Sequence, residues 1–247
     1  MQHIFLDFEM NQVSRKKNPD TPAPLLHEIV EIGAVKLDSD YRQVGKYSAY
    51  VRPRNFPVGS SCTRITGISD ETVAGAKELP EALEDFLRWI GEEPARIYAW
   101  SDSDKKQLYQ ECFLKGIWEE KPPKQLRRWI DFQRIYTRLL GLSKRNRISL
   151  KNAIGGIEVN FAGSQHSAAD DAENSAVLLT LLHDKEAFEE RTRITRELMN
   201  AASAPPPPAT TLGDLFGAAL SQWEFADDGN CLTKAALKVS TLFTIPP

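Results

Sequence analysis

Cysteine is scarce in this sequence. Its 247 residues hold three, Cys62, Cys112 and Cys231, far apart and with no C-x-x-C pair. That spacing excludes a zinc site built on paired thiolates and implies reduced thiols in an intracellular protein. Long apolar runs are also missing, since none nears the roughly 20 residues that span a bilayer. The opening residues carry no basic segment leading into an apolar stretch, so no signal peptide is expected and the expected location is the cytoplasm. There is no internal repeat. Neither charge dominates: 31 lysines and arginines face 34 aspartates and glutamates, a net charge of -3. Taken as an average, that balance argues against a nucleic-acid partner, but it hides a strong local asymmetry.

What is present suffices for a core: 41% of the residues are hydrophobic and 26% charged, as in an ordinary globular domain. Residues 3–8 form a short apolar run that reads as a buried strand, and residues 11–24 read as a polar, proline-bearing loop. Residues 29–37 are β-branched and partly alternating, and residues 43–51 alternate again, so the pair reads as a hairpin across the turn Asp38-Ser39-Asp40. Proline and glycine break residues 53–59 into a loop. Ser69 or Asp70 suits the cap of a short helix, and Pro80 suits the first turn of the next, where Leu83, Phe86, Leu87 and Ile90 recur at helical spacing. Further on, residues 95–100 read as a strand and 104–116 as a helix. Residues 129–132 read as a strand that runs into a helix, followed by helices over 150–154 and 168–183. A meander followed by alternating strands and helices predicts an α/β layer fold with a mixed sheet. Residues 201–209, rich in alanine and proline, read as a stiff linker. Beyond it, Phe216, Leu220, Trp223 and Phe225 can form a helical docking face.

Three acidic pieces stand out. Asp7 and Glu9 close the first strand on one side, because side chains alternate along a strand. Two adjacent carboxylates repel unless a cation lies between them, and Mg²⁺ and Mn²⁺ prefer oxygen ligands. Taken alone, such a pair is more often two solvated acids. The second piece, Trp100-Ser101-Asp102-Ser103-Asp104-Lys105-Lys106-Gln107-Leu108, lies where a strand gives way to a helix. There an acid or serine also serves as a plain helix cap. The third, His166-Ser167-Ala168-Ala169-Asp170-Asp171, places a histidine just ahead of a helix and an aspartate about one turn inside it.

Together, in this chain order, these pieces resemble the DEDD superfamily of 3′→5′ exonucleases. The histidine indicates the DEDDh branch, which includes the proofreading ε subunit of bacterial DNA polymerase III. The strings Ile4-Phe5-Leu6-Asp7-Phe8-Glu9, Glu28-Ile29-Val30-Glu31-Ile32-Gly33-Ala34-Val35, Ile65-Thr66-Gly67-Ile68 and Asp104-Lys105-Lys106-Gln107-Leu108 carry the likeness along with the histidine motif. Their wording is similar to KapD-type sporulation-inhibitor proteins and to eukaryotic exonucleases acting on histone mRNA and small RNAs. The resemblance implies a ribonuclease H-like three-layer α/β fold, with a mixed five-stranded sheet flanked by helices. It assigns residues 1–183 to the exonuclease domain, followed by a helix and proline-rich linker over 184–209 and an extension of unassigned role over 210–247. Met10-Asn11 depart from the threonines and glycine that follow the glutamate in the proofreading enzymes.

The resemblance further implies catalytic residues Asp7, Glu9, Asp104, His166 and Asp171, the four acids holding two divalent cations, Mg²⁺ or Mn²⁺. Family spacing favours Asp104 over Asp102 and Asp171 over Asp170. His166 would be the base, a role suited to an imidazole whose ordinary pKa is about 6.5. Met10, Asn11 and the loop carrying Arg64, Thr66, Gly67 and Ile68 would grip the terminal nucleotide. The implied partner is single-stranded RNA or DNA with a free 3′ end, RNA being slightly favoured, and no membrane. The charge asymmetry fits: residues 121–151 hold ten lysines and arginines against Asp131 alone. Lys144, Arg145 and Arg147, in a predicted loop, are the expected phosphate contacts, whereas Trp129 and Tyr136 are expected in the core. The rival reading is a non-catalytic nucleic-acid-binding or scaffold protein on the same fold.

Overall fold

A computed structural model of the chain describes residues 1–12, 27–118, 121–142 and 147–203, the side chains of 198–203 excepted. Its sheet has five strands: β1 (Gln2–Gln12), β2 (His27–Leu37), β3 (Gln43–Tyr50), β4 (Ala95–Ala99) and β5 (Trp129–Asp131). Their spatial order is β3-β2-β1-β4-β5. The first three strands pair antiparallel as a meander, and β4 and β5 continue the sheet parallel to β1. Parallel neighbours require crossovers. The way to β4 runs through α1 (Ser60–Thr66), α2 (Asp70–Val73) and α3 (Leu79–Ile90), and the way to β5 through α4 (Ser103–Leu114). After β5 come α5 (Phe132–Leu139), α6 (Leu150–Gly155), α7 (Ala168–His183) and α8 (Lys185–Ser203).

Alternation along β1 decides what each face carries. Ile4, Leu6 and Phe8 point one way and pack with Phe86, Leu108 and Cys112 of α3 and α4. Phe5 points the other way, into a second cluster with Phe132, Tyr136 and Leu178 of α5 and α7. Helix, sheet and helix thus form three layers. Asp7 and Glu9 continue the row of Phe5 and fall on the α7 side. Across the ladder Phe5 pairs with Val35, Asp7 with Gly33 and Glu9 with Glu31. Immediately after Glu9 the register shifts, because Met10 pairs with Ile29 and leaves Val30 without a partner. Such a bulge twists a strand and re-aims its side chains.

Local chemistry accounts for most element ends. Ser69 and Thr72 form a reciprocal capping box on α2. Pro80 sits in the first turn of α3, which stops at Gly91. Three stretches differ from the sequence reading, and one is residues 201–203, read as linker but part of α8. Asn11 and Gln12, expected in a loop, extend β1 and pair with Glu28 and His27. Arg64, Ile65 and Thr66, expected in a loop, form the last turn of α1, and Gly67 closes that helix in the left-handed region at φ 77°. Tyr136 is in the core and Trp129 packs partly buried against it. Cys62 and Cys112 are buried free thiols. Cys231, Lys144, Arg145, the proline run and the expected docking face at 216–225 lie outside the described residues. Among the described residues no helix is long and apolar enough to cross a membrane.

Candidate functional site

Three elements bring the acids together. β1 supplies Asp7 and buried Glu9, α4 supplies Asp104 from its first turn, and α7 supplies Asp171 from its own first turn. Asp104 is 4% exposed, and its Oδ1 accepts the Phe8 N–H at 3.2 Å, which ties α4 to β1 between Asp7 and Glu9. His166 lies one residue ahead of the α7 N-cap, exposed and in the left-handed region at φ 65°. One donor atom each from Glu9, His166 and Asp171 lie within 4.8 Å of one another. Asp7 and Asp104 stand beside this triangle as its electrostatic neighbours.

The less favoured alternatives, Asp102 and Asp170, point elsewhere. Asp102 is half-buried and pairs with Lys106 at 2.6 Å, and the ammonium holds it below the usual carboxylate range. Asp170 pairs with Lys46 at 2.8 Å and accepts the Ser164 N–H at 3.0 Å, which fixes the loop before His166. In each acidic pair, one member faces a lysine and the other turns toward Asp7.

Burial and mutual repulsion dominate the site. Burial raises Asp7 well above the ordinary carboxylate range, and Asp104, Asp171, Glu9 and Glu31 raise it further. Glu9 is pushed up to about 8 by burial and by Asp171, Glu31 and Asp104. Burial lifts Asp104 to about 7 against the pull of the Phe8 N–H, and Asp171 to about 6 against the His166 N–H. Among the described residues, no lysine or arginine is one of the main groups shifting these acids. Asp171 Oδ1 is buried without a hydrogen-bond partner. Hard oxygen donors and an unpartnered buried oxygen fit a divalent metal centre.

This electrostatics predicts a pH dependence of folding. Unfolded carboxyls titrate near pH 4, whereas these hold their protons to about 6, 7 and 8. Between those limits the folded chain binds more protons than the unfolded one, so stability falls as pH rises. Burial lowers His3 and His27, which act in the opposite sense below about pH 6.5. In chelator, the melting temperature is expected to be higher at about pH 6.5 than at about pH 8. Added Mg²⁺ is expected to raise it more at the higher pH, where the acids are ionised. A metal-free protein that melts higher at pH 8 would contradict the shifts.

The residues expected to hold substrate divide into groups. Arg64 and Gly67 are exposed and Met10 and Thr66 half-buried. Ile68 is 2% exposed and packs with Val30, Cys62 and Val73. Asn11 is buried, and its amide is committed to the loop before α1: Nδ2 donates to the Pro57 carbonyl at 3.0 Å and Oδ1 accepts the Gly59 N–H at 2.9 Å. Asn11 therefore fixes the start of α1 against β1. Arg147 is exposed and lies 4.0 Å from Asp131. Glu31 faces the same acids and escaped the sequence reading of the site. The signal for it was an acid interrupting the apolar run Ile29-Val30-Glu31-Ile32.

Known proteins resemble this chain in sequence and in fold. The family RNase_T, described as Exonuclease, matches residues 4–179. ERI1 exoribonuclease 2 of Mus musculus is 29% identical over 199 residues, 71% of this chain and 27% of that protein. The 3′-5′ exonuclease Snipper of Drosophila melanogaster is 26% identical over 217 residues, 79% of this chain and 73% of its own length. This chain thus spans only about a quarter of the mouse protein. The nuclease domain of 3′hExo, a DEDDh family member solved bound to rAMP, shares the fold with a TM-score of 0.64 at 23% identity, over 74% of this chain and 92% of that one. A family match over most of the chain, on the three-layer fold, means that the protein belongs to the RNase_T exonuclease family.

Proposed function

We propose that this chain is a metal-dependent 3′→5′ exonuclease that hydrolyses the terminal phosphodiester of single-stranded nucleic acid, RNA ahead of DNA, and releases nucleoside 5′-monophosphates. The observation that carries the reading is the convergence of Asp7, Glu9, Asp104 and Asp171 with His166 at one place, with no described lysine or arginine among the main groups that shift the acids. Asp7, Glu9, Asp104 and Asp171 would hold two divalent cations, Mg²⁺ or Mn²⁺. When bound, such a pair neutralises phosphate charge and holds the attacking and leaving oxygens. His166, the exposed corner of the triangle, takes a proton from the attacking water. That water's oxygen bonds to phosphorus, and the 3′ oxygen of the preceding nucleotide leaves as the new chain end. Arg64 and Gly67 on α1 and Arg147 beyond β5 offer exposed contacts to the terminal nucleotide and its phosphates. The preference for RNA rests on the relatives, one named an exoribonuclease and one solved with rAMP.

Matched 5′-labelled RNA and DNA oligonucleotides, incubated with Mg²⁺ or Mn²⁺, test this reading. The expected result is a ladder shortening from the 3′ end, faster on RNA and abolished by chelator. Labelled strands left intact with either ion would favour the binding or scaffold reading.

A further inference from the structure

We propose that Glu31 is the positioning residue of this site: from β2 it caps the N-terminus of α7, and so seats His166 and Asp171 against Glu9. This rests on the exonuclease reading above. A helix leaves its first backbone N–H groups without internal partners. Ser167 stands at the N-cap of α7, yet its side chain makes no capping bond. The Ala168 N–H donates instead to Glu31 Oε2 at 3.1 Å, and the Ala169 N–H acts on the same carboxylate. The Ser48 hydroxyl of β3 donates to Oε1 at 3.2 Å. Both carboxylate oxygens are thereby engaged, and the side chain is 4% exposed.

The source of the cap matters more than its presence. A cap from Ser167 would tie the helix end only to itself. A cap from Glu31 ties it to the strand position registered opposite Glu9. Gly33, on the same face and opposite Asp7, makes the approach possible: a Cβ there would lie 2.0 Å from the Ala168 carbonyl carbon. The first turn of α7 therefore rests on bare backbone at Gly33 and is fastened at Glu31. Asp171 lies in that turn and His166 just ahead of it, so one anchoring contact governs how both meet Glu9. The carboxylate also suits the positive end of the helix dipole. Repulsion from the acids nearby opposes that benefit, which makes Glu31 a costly choice for a cap serving stability alone.

Glu31→Ala, Glu31→Gln and Ser48→Ala, with the core variant Leu178→Ala as a control for general destabilisation, test the assignment. The readouts are steady-state hydrolysis of labelled RNA and amide hydrogen exchange over residues 166–172. Glu31→Ala is expected to lower kcat about 30- to 100-fold with KM changed by less than about twofold, the scale of a misplaced catalytic group. Exchange at Ala168 and Ala169 should quicken about fivefold or more, the loss of a cap. Glu31→Gln keeps a carbonyl oxygen for the Ala168 N–H, so its kcat and exchange should stay within about threefold of wild type. Ser48→Ala should fall between the two. Leu178→Ala should lower the melting temperature while leaving kcat near wild type. A Glu31→Gln as inactive as Glu31→Ala would make Glu31 a ligand rather than a cap and overturn the proposal, and that variant decides the matter should Glu31→Ala not fold. A Glu31→Ala with kcat within threefold, or unchanged amide exchange, would overturn it as well. If the wild type hydrolyses nothing, the exonuclease reading fails by itself, and hydrogen exchange still judges the cap.

Discussion

Asp7→Asn is expected to cut turnover on RNA at least about a thousandfold, the upper range for removing one preorganised electrostatic group, while raising the melting temperature of the metal-free chain. Both effects have one origin. Asp7 sits where the fields of Asp104, Asp171, Glu9 and Glu31 overlap, and each of them raises its pKa. A side chain so placed is unfavourable without a cation and would favour one nearby. Asparagine keeps the shape and removes the charge, so repulsion in the empty cluster falls and affinity for divalent ions falls with it. Steady-state hydrolysis, calorimetric titration with Mn²⁺ and thermal melts in chelator supply the three readouts. Asp102→Asn is the matched control. Its partner is exposed Lys106, and such a surface pair contributes little, so activity should stay within about twofold. Turnover of Asp7→Asn within tenfold of wild type would remove Asp7 from the centre of the chemistry.

How far the sequence reached can be judged element by element. The hairpin of β2 and β3 was legible because alternation and a turn signal coincide there. So was α7, whose bounds match the reading at both ends. The short helix α1 was not. It lies between broken loop and glycine, Cys62 is its one buried residue, and Gly59 at its start offers no side-chain cap, so neither periodicity nor capping marks it. Helix α4 was found, but its buried stripe mixes Asp104, Gln107 and Glu111 with Leu108 and Cys112, and an apolar pattern shows only part of that face. The polar members bind over long sequence separations. Glu111 accepts the Ile29 N–H at 2.9 Å, and Lys115, one helical turn after it, reaches back to Glu28 at 2.7 Å. No local pattern encodes such partners. The same limit hid Glu31 and the amide staple of Asn11. The acids of the site stood out because motif order names them, and the residues that hold those acids in place became visible only when the chain was folded.

His166→Asn is expected to lower kcat about a hundred- to ten-thousandfold, the range for losing a positioned general base, with KM for RNA and melting temperature little changed. Asparagine is the informative replacement because His166 holds a left-handed backbone at φ 65°, which asparagine adopts more readily than alanine. The loop before it is pinned through Asp170 to Ser164 and Lys46, so the altered side chain should leave the backbone path in place. Unlike the four acids, His166 is exposed, and this difference supplies a test that a ligand role fails. Added imidazole can reach the vacated position and accept a proton from the attacking water. It is expected to restore several-fold activity to His166→Asn and none to Asp7→Asn, whose defect no diffusing base repairs. Calorimetry should find Mn²⁺ affinity near wild type in His166→Asn, although the imidazole lies within 4.8 Å of Glu9 and Asp171 donor atoms. A large loss of ion affinity, with no response to imidazole, would make His166 a metal ligand instead of the base.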